Sequence, residues 1–351
     1  MVKHTQLRGL EAFENPRIVP LGEGLFAASF FLMKLLPARF MLERAVERGD
    51  LAAGGRICES SSGTFALALS MLAARHDYRL RIIGDWALDR GLRCRLSQLG
   101  TDLDIVEAPH PTGGYQQARL ERLQQHLQDD PEIYWPAQYS NPDNPMSYSK
   151  VAAHIIDRVG PIDCLVGPVG SGGSMCGTAH HLRLVFPELE VIGVDTPGSV
   201  LFGQPNILRQ VSGLGGGICP GNVDHTQFDE VHWLTAAEIM TATHDLHRTH
   251  GLFMGPTSGV ATRVARWWRD RNPRKTVVAI CPDEGHRYAD TAYDESWLRA
   301  NISGWGTPAR AEPIPVPSPA VEMHGWSRFE WRRRDLTEVL SQNDPRKVEP
   351  Q

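Results

Sequence analysis

Residues 167–182 read GPVGSGGSMCGTAHHL, with five glycines between an apolar run and a helix-like run. The preceding DCLVGPV (163–169) has the apolar continuity of a buried strand, and the residues after the glycines have the composition of a helix. A strand that feeds such a loop and then a helix leaves unpaired backbone N–H groups at the positive end of the helix dipole, a geometry that binds phosphate. Gly170, Gly172 and Gly173 let the backbone come close, and Ser171 and Ser174 add hydroxyl donors. No Gly-Lys-Ser/Thr follows, so this is not a P-loop. A dinucleotide site is the rival. Asp195 ends the next apolar run where a ribose-binding acid would lie, but Met175 takes the third glycine position of G-x-G-x-x-G.

Outward from this loop, short apolar runs alternate with amphipathic stretches. RICES (56–60), RLRIIGD (79–85), DLDIVEA (102–108), EVIGVD (190–195) and TVVAICPD (276–283) join 163–169 as expected strands. PARFMLERAVERGD (37–50) reads as a helix with Phe40, Met41, Ala45 and Val46 inward and Arg39, Glu43, Glu47 and Arg48 toward water. The alternation predicts an α/β fold with a mainly parallel sheet. After about residue 306 the composition changes. TPARAEPIPVPSPAVEM is proline-rich and reads as an extended arm, and GWSRFEWRRRDLTEVL as a short aromatic and basic segment, read as helical, whose partner the sequence does not name.

The chain has 351 residues and a net charge of -5, a balance that points to neither nucleic acid nor a membrane surface. Six scattered cysteines form no C-x-x-C pair, and no apolar leader or bilayer-length run is visible, so a cytoplasmic protein is expected. In HDLHRTH, a helix would place His244 and His247 together and carry His250 off their face, which favours a solvated helix end over a metal site.

Two further features narrow the chemistry. CESSSGTFALALSMLAA (58–74) sets three serines and a glycine before an apolar helical run, where N–H groups and hydroxyls can hold a carboxylate or simply cap the helix. Lys34 stands in the apolar LMKLLPARFML, either snorkelling at a helix start or serving as a desolvated, nucleophilic amine. One such lysine, one carboxylate turn and one phosphate turn are what a pyridoxal phosphate enzyme acting on amino acids needs.

Over roughly residues 16–298 the order and wording of these pieces resemble the cysteine synthase family of fold-type II pyridoxal phosphate enzymes. Within it they look most like the branch that makes N-(2-amino-2-carboxyethyl)-glutamate, a diaminopropionate precursor, from O-phosphoserine and glutamate. TGGYQQAR (112–119), VDTPGSVLFG (194–203), GPTSG (255–259) and PDEGHRYADTAYDESWL (282–298) carry the likeness. The resemblance implies a tryptophan synthase β-like fold of two three-layer α/β lobes with the cofactor in the cleft. Residues 1–36 and 149–306 would form the large lobe, 37–148 the small one and 307–351 the arm and tail. It implies that Lys34 binds the cofactor and moves the α-proton. Gly170, Ser171, Gly172, Gly173 and Ser174 would cradle the cofactor phosphate, and Thr257 would meet the pyridine nitrogen. Ser61, Ser62, Gly63, Thr64 and Gln138 would hold the substrate carboxylate. Gly213, in SGLGGG (212–217), would line the substrate side. Asp283 and Glu284, otherwise available for acid–base work, become a turn near the ring, with Arg287 and Tyr288 as structural partners.

The implied reaction is β-replacement on O-acetyl- or O-phosphoserine through an aminoacrylate, by a cytoplasmic homodimer, with sulfide or an amine as nucleophile. A non-catalytic cofactor- or metabolite-binding protein is the alternative from another class, and a nicotinamide-dependent dehydrogenase the third. Two departures from the family pattern stand out. Thr64, which the resemblance also places at the cofactor's 3′ oxygen, replaces the family's asparagine there, and the approach to Lys34, GEGLFAASFFLMK, is shorter and more apolar.

Overall fold

The computed structural model describes Leu10 and residues 13–86, 88–211 and 213–342. Lys3, Ser212 and Lys347 lie outside the described residues. The strands in chain order are β1 (Arg17–Gly22), β2 (Leu25–Ser29), β3 (Arg56–Ser60), β4 (Arg79–Gly84), β5 (Asp102–Ile105), β6 (Cys164–Pro168), β7 (Glu190–Asp195), β8 (Glu230–Trp233), β9 (Val277–Cys281), β10 (Ile314–Pro315) and β11 (Ser327–Glu330). Among the described residues they form two sheets, β1-β2-β9-β6-β7-β8-β11-β10 and β3-β4-β5.

The six runs expected as strands are β3, β4, β5, β6, β7 and β9. All the pairings among them are parallel. CLVGP and VVAIC are buried at every position, as central parallel strands covered on both faces must be. Alternate residues feed two cores on the faces of the large sheet. Leu165, Val191 and Val278 lie in one, and Val166, Ile192 and Ala279 in the other. β2 extends the sheet in register with β9 and delivers the chain to residue 34.

The helix Leu35–Arg48 ends at Gly49, whose φ of 81° suits glycine and lets its N–H reach the carbonyls of Ala45 and Val46. Two expectations for this helix are corrected. Its inward face is Leu35, Ala38, Met41, Leu42 and Ala45, and Val46, a further 100° round, is 46 % exposed. Arg39 is buried rather than solvated, because Glu14 and Glu43 both accept hydrogen bonds from its guanidinium.

The tail is also different from its reading. Only its second part is helical, Leu336–Gln342, while SRFE forms β11, antiparallel to β8. The proline-rich arm contributes the two-residue β10 at the sheet edge, where missing N–H donors matter least. Phe329 and Trp331 enter the core on one face, and Trp326 the core on the other. Trp331 meets Phe202 edge-on at 5.2 Å and stacks on His225 at 5.6 Å. Trp331→Ala is therefore expected to lower the unfolding free energy by about 3–5 kcal/mol. Denaturant melts check this, and a loss below about 1 kcal/mol would mean that the tail only rests on the surface.

Candidate active site

β6 delivers the glycine loop to the sheet's C-terminal edge, the position at which open α/β sheets bind ligands. Gly172 caps the helix Gly173–Arg183 with φ +84°. A Cβ there would run into the Asn222 carbonyl, and one on Gly173 would strike the Asn144 side chain. Asn144 Nδ2 and Asn222 Nδ2 both donate to Gln138 O, at 2.6 and 3.1 Å, so the loop and the 138–144 turn form one wall. Gly170 remains open, with only Gly213 O 3.8 Å from where a Cβ would stand.

Lys34 meets this loop from the start of Leu35–Arg48. Phe30 N and Met33 N donate to the carbonyls of Cys281 and Pro282, which pins the approach to the end of β9. The Lys34 amine donates to Ser171 Oγ at 3.1 Å, and enclosure by protein pulls its pKa down to about 8. An amine near that value is readily deprotonated at neutral pH and becomes a nucleophile.

Thr257 lies in the first turn of Pro256–Arg271, and its Cγ2 is 4.0 Å from where a Gly213 Cβ would be. Gly213 thus stands between Gly170 and Thr257. Gly215 N donates to Val169 O, Gly216 N to Ser199 Oγ and Gly217 N to Gln116 Oε1. Asp195 is wholly buried against this loop, with Oδ1 accepting from Thr196 N, and is not exposed to a ribose. Asp283 is buried too, and the Tyr288 hydroxyl donates to it at 2.8 Å.

The serine turn lies before Thr64–His76. Ser61 Oγ accepts from Ala66 N at 3.2 Å and Gly63 N at 3.4 Å, so this serine works as a local cap. Gln138 is near, but its amide nitrogen is tied to Ser60 O at 3.2 Å. Arg287 reaches the same turn. Its Nη2 donates to Ser62 O and its Nε to Asp89, both at 3.2 Å. Glu59 lies beneath, completely buried, accepting from Ser60 N at 2.8 Å and from Trp135 Nε1 and Gln138 N at 3.2 Å. Burial raises its pKa to about 7.

The sequence reading had no place for Asn144, Asn222, Glu59 or Arg119. Glu59 left a local signal, a charge inside the strand pattern RICES, and Arg119 closes the motif TGGYQQAR (112–119), which gave it no role. Arg119 is 5 % exposed and pairs with Asp85 at 3.3 Å, without hydrogen-bond geometry at Nε. Its Nη1 has no hydrogen-bond partner among the described residues. His244 bonds Ala292 O and stacks on Tyr293. Among the described residues no cluster of His, Cys, Asp or Glu suits a metal, and no helix is long and apolar enough to cross a membrane.

A cradle closed to side chains at Gly172 and Gly173, hydroxyls at a helix N-terminus and a desolvated amine on Ser171 fit a phosphate-bearing aldehyde cofactor. The family model for pyridoxal-phosphate dependent enzymes matches residues 33–283. The chain belongs to that family. It is a pyridoxal-phosphate dependent enzyme of the cysteine synthase type, with the fold-type II architecture. It is 33 % identical over 272 residues to an N-(2-amino-2-carboxyethyl)-L-glutamate synthase of Cupriavidus metallidurans, covering 75 % of this chain and 79 % of that one. The enzyme of the same name from Ralstonia nicotianae is 33 % identical over 294 residues, covering 80 % and 85 %. An O-acetylserine dependent cystathionine beta-synthase from Helicobacter pylori superposes with a TM-score of 0.74 at 22 % identity, covering 83 % of this chain and 99 % of that one.

Glu59 also generates a pH prediction. Its pKa is higher in the folded protein than the ordinary 4.5, so its contribution to stability is complete below that value and is lost as pH rises through about 7. The stability of the native enzyme relative to a Glu59→Gln variant is expected to fall across that window. Melting both proteins at several pH values tests this, and a constant difference would contradict it.

Proposed function

We propose that this enzyme replaces the β-substituent of an O-activated L-serine, with O-phosphoserine as the activated substrate and an amine as the incoming nucleophile. The observation that carries the choice of leaving group is Arg119. It is a buried cation with Nη1 unpaired, at the C-terminal edge of β3-β4-β5 beside Asp85 and within electrostatic reach of the Tyr139 hydroxyl. A buried guanidinium nitrogen without a partner is destabilising on its own, and a phosphate oxygen satisfies it with a charge-assisted bond. Acetate as the leaving group offers it less. The amine is favoured by the two relatives at 33 % identity, whose name describes a carbon–nitrogen product built on glutamate.

In this proposal the glycine loop, with Ser171 and Ser174, binds the cofactor phosphate, and Thr257 meets the pyridine nitrogen with a neutral hydroxyl. Pyridoxal phosphate, when bound, supplies an electron-accepting ring that makes loss of the substrate's α-proton feasible. Lys34 takes that proton from Cα, for which a pKa near 8 is well placed. The 61–64 turn holds the substrate carboxylate at the start of Thr64–His76, and Gln138 fixes the position of that turn through Ser60. Arg119 draws the leaving phosphate away from Cβ. The site lies between a small lobe, residues 37–148, and a large lobe of residues 1–36 and 149–306, in a cytoplasmic homodimer.

The test is kinetic. Arg119→Gln should lower kcat/KM for O-phosphoserine by at least about tenfold and change that for O-acetylserine far less, with glutamate as the first amine tried. An equal loss with both substrates would remove Arg119 from the leaving-group site and with it the preference for phosphate.

A further inference from the structure

The tail enters the fold at the sheet edge, and three separate parts of it also reach the short segment 200–204. Gln204 Nε2 donates to the carbonyls of Pro319 and Val321, the latter at 2.9 Å. Gly203 has φ +87°, and a Cβ on it would lie 2.6 Å from Leu340 Cδ2, so the terminal helix packs directly on this turn. Trp331 covers Phe202 and stacks on His225, whose Nε2 lies 2.7 Å from Leu201 O. The arm, β11's end and the terminal helix thus all grip one five-residue stretch.

The other side of that stretch holds the glycine loop of the cleft. Val200 N donates to Gly216 O at 2.9 Å, and Ser199 Oγ accepts from Gly216 N at 3.1 Å. Loop 213–217 is held at its centre by Leu214, buried in the core, while its glycines are held only by backbone hydrogen bonds to neighbouring segments. Gly213 and Gly215 have φ of +83° and +67°, and a run so rich in glycine loses much conformational freedom on being ordered. Its conformation therefore depends on what it is tied to, and one of those ties leads through 200–204 to the tail.

We propose that residues 313–342 are a positioning strap that sets the conformation of loop 213–217 through segment 200–204. The strap exerts its effect on substrate binding because that loop lines the cleft, a clause that rests on the reading in "Proposed function". The tail is thereby a working part of this enzyme's cleft, acting from behind it.

The test uses the full-length holoenzyme and hydrogen exchange at the amides of 215–217. Trp331→Phe and Gln204→Ala loosen the strap from its two sides while keeping the fold. Trp326→Phe is the control, since Trp326 anchors the tail elsewhere, on His232 and Glu238. Exchange at 215–217 should rise by about tenfold in the first two variants, stay unchanged at the central strands, and stay unchanged at 215–217 in the control. Unaltered exchange at 215–217 in both strap variants overturns the proposal, and so does an equal rise in the control. KM for the serine substrate, measured in parallel, separates the two claims. A loosened loop with a raised KM supports both, and a loosened loop with an unchanged KM supports the strap and removes the loop from the substrate site.

Discussion

Asn222 and Asn144 leave no room for a side chain at Gly172 and Gly173, and Lys34 meets the preceding residue, Ser171, with its amine. The rest of the site follows from that arrangement. A phosphate group needs backbone N–H groups without side chains over them, and an aldehyde on the same small molecule needs an amine that is not held as a hydrated cation. The sheet satisfies both demands at once. β6 ends in the loop, while β9, its neighbour, fixes the backbone that carries Lys34 through the carbonyls of Cys281 and Pro282. The distance between the glycine loop and the Lys34 amine is therefore set by adjacent parallel strands.

Several buried carboxyl groups surround this centre, and among the described residues none of them forms a salt bridge. Glu59 and Asp195 are raised to about 7 and Asp283 to about 6, in each case chiefly by desolvation. Each sits under a turn that faces the cleft: the serine turn, the 213–217 loop and the start of Pro256–Arg271. Near neutral pH they are poised between a neutral acid, which donates one hydrogen bond, and a carboxylate that only accepts. Glu59 accepts a hydrogen bond from Ser60 N in the serine turn, whereas Asp195 and Asp283 bond Thr196 N and the Tyr288 hydroxyl and each keep one oxygen without a partner among the described residues.

The parts legible in the sequence were those whose chemistry demands a residue type locally. The glycine loop, the serine turn, the isolated Lys34 and six of the strands declare themselves within a few residues. What escaped is assembled from distant segments. Asn144 and Asn222 carry no local mark, since their role is to touch glycines that are remote in the chain. Arg39 looked solvated because its partner Glu14 lies 25 residues away. The aromatic strand SRFE looked like part of a basic helix because its burial depends on the free edge of β8, itself only four residues long and too brief to show a period.

The central claim is that the Lys34 amine, desolvated beside Ser171, is the group that holds the cofactor aldehyde. The chain has five lysines: 3, 34, 150, 275 and 347. Of the other described ones, Lys150 is paired with Glu14, and Lys275 lies over the Trp268 ring. Borohydride reduction of the native holoenzyme, followed by proteolysis and mass mapping, tests the claim directly. The account predicts a pyridoxyl adduct on the peptide that contains Lys34. An adduct on any other lysine, or none on a protein that retains its cofactor, would contradict it.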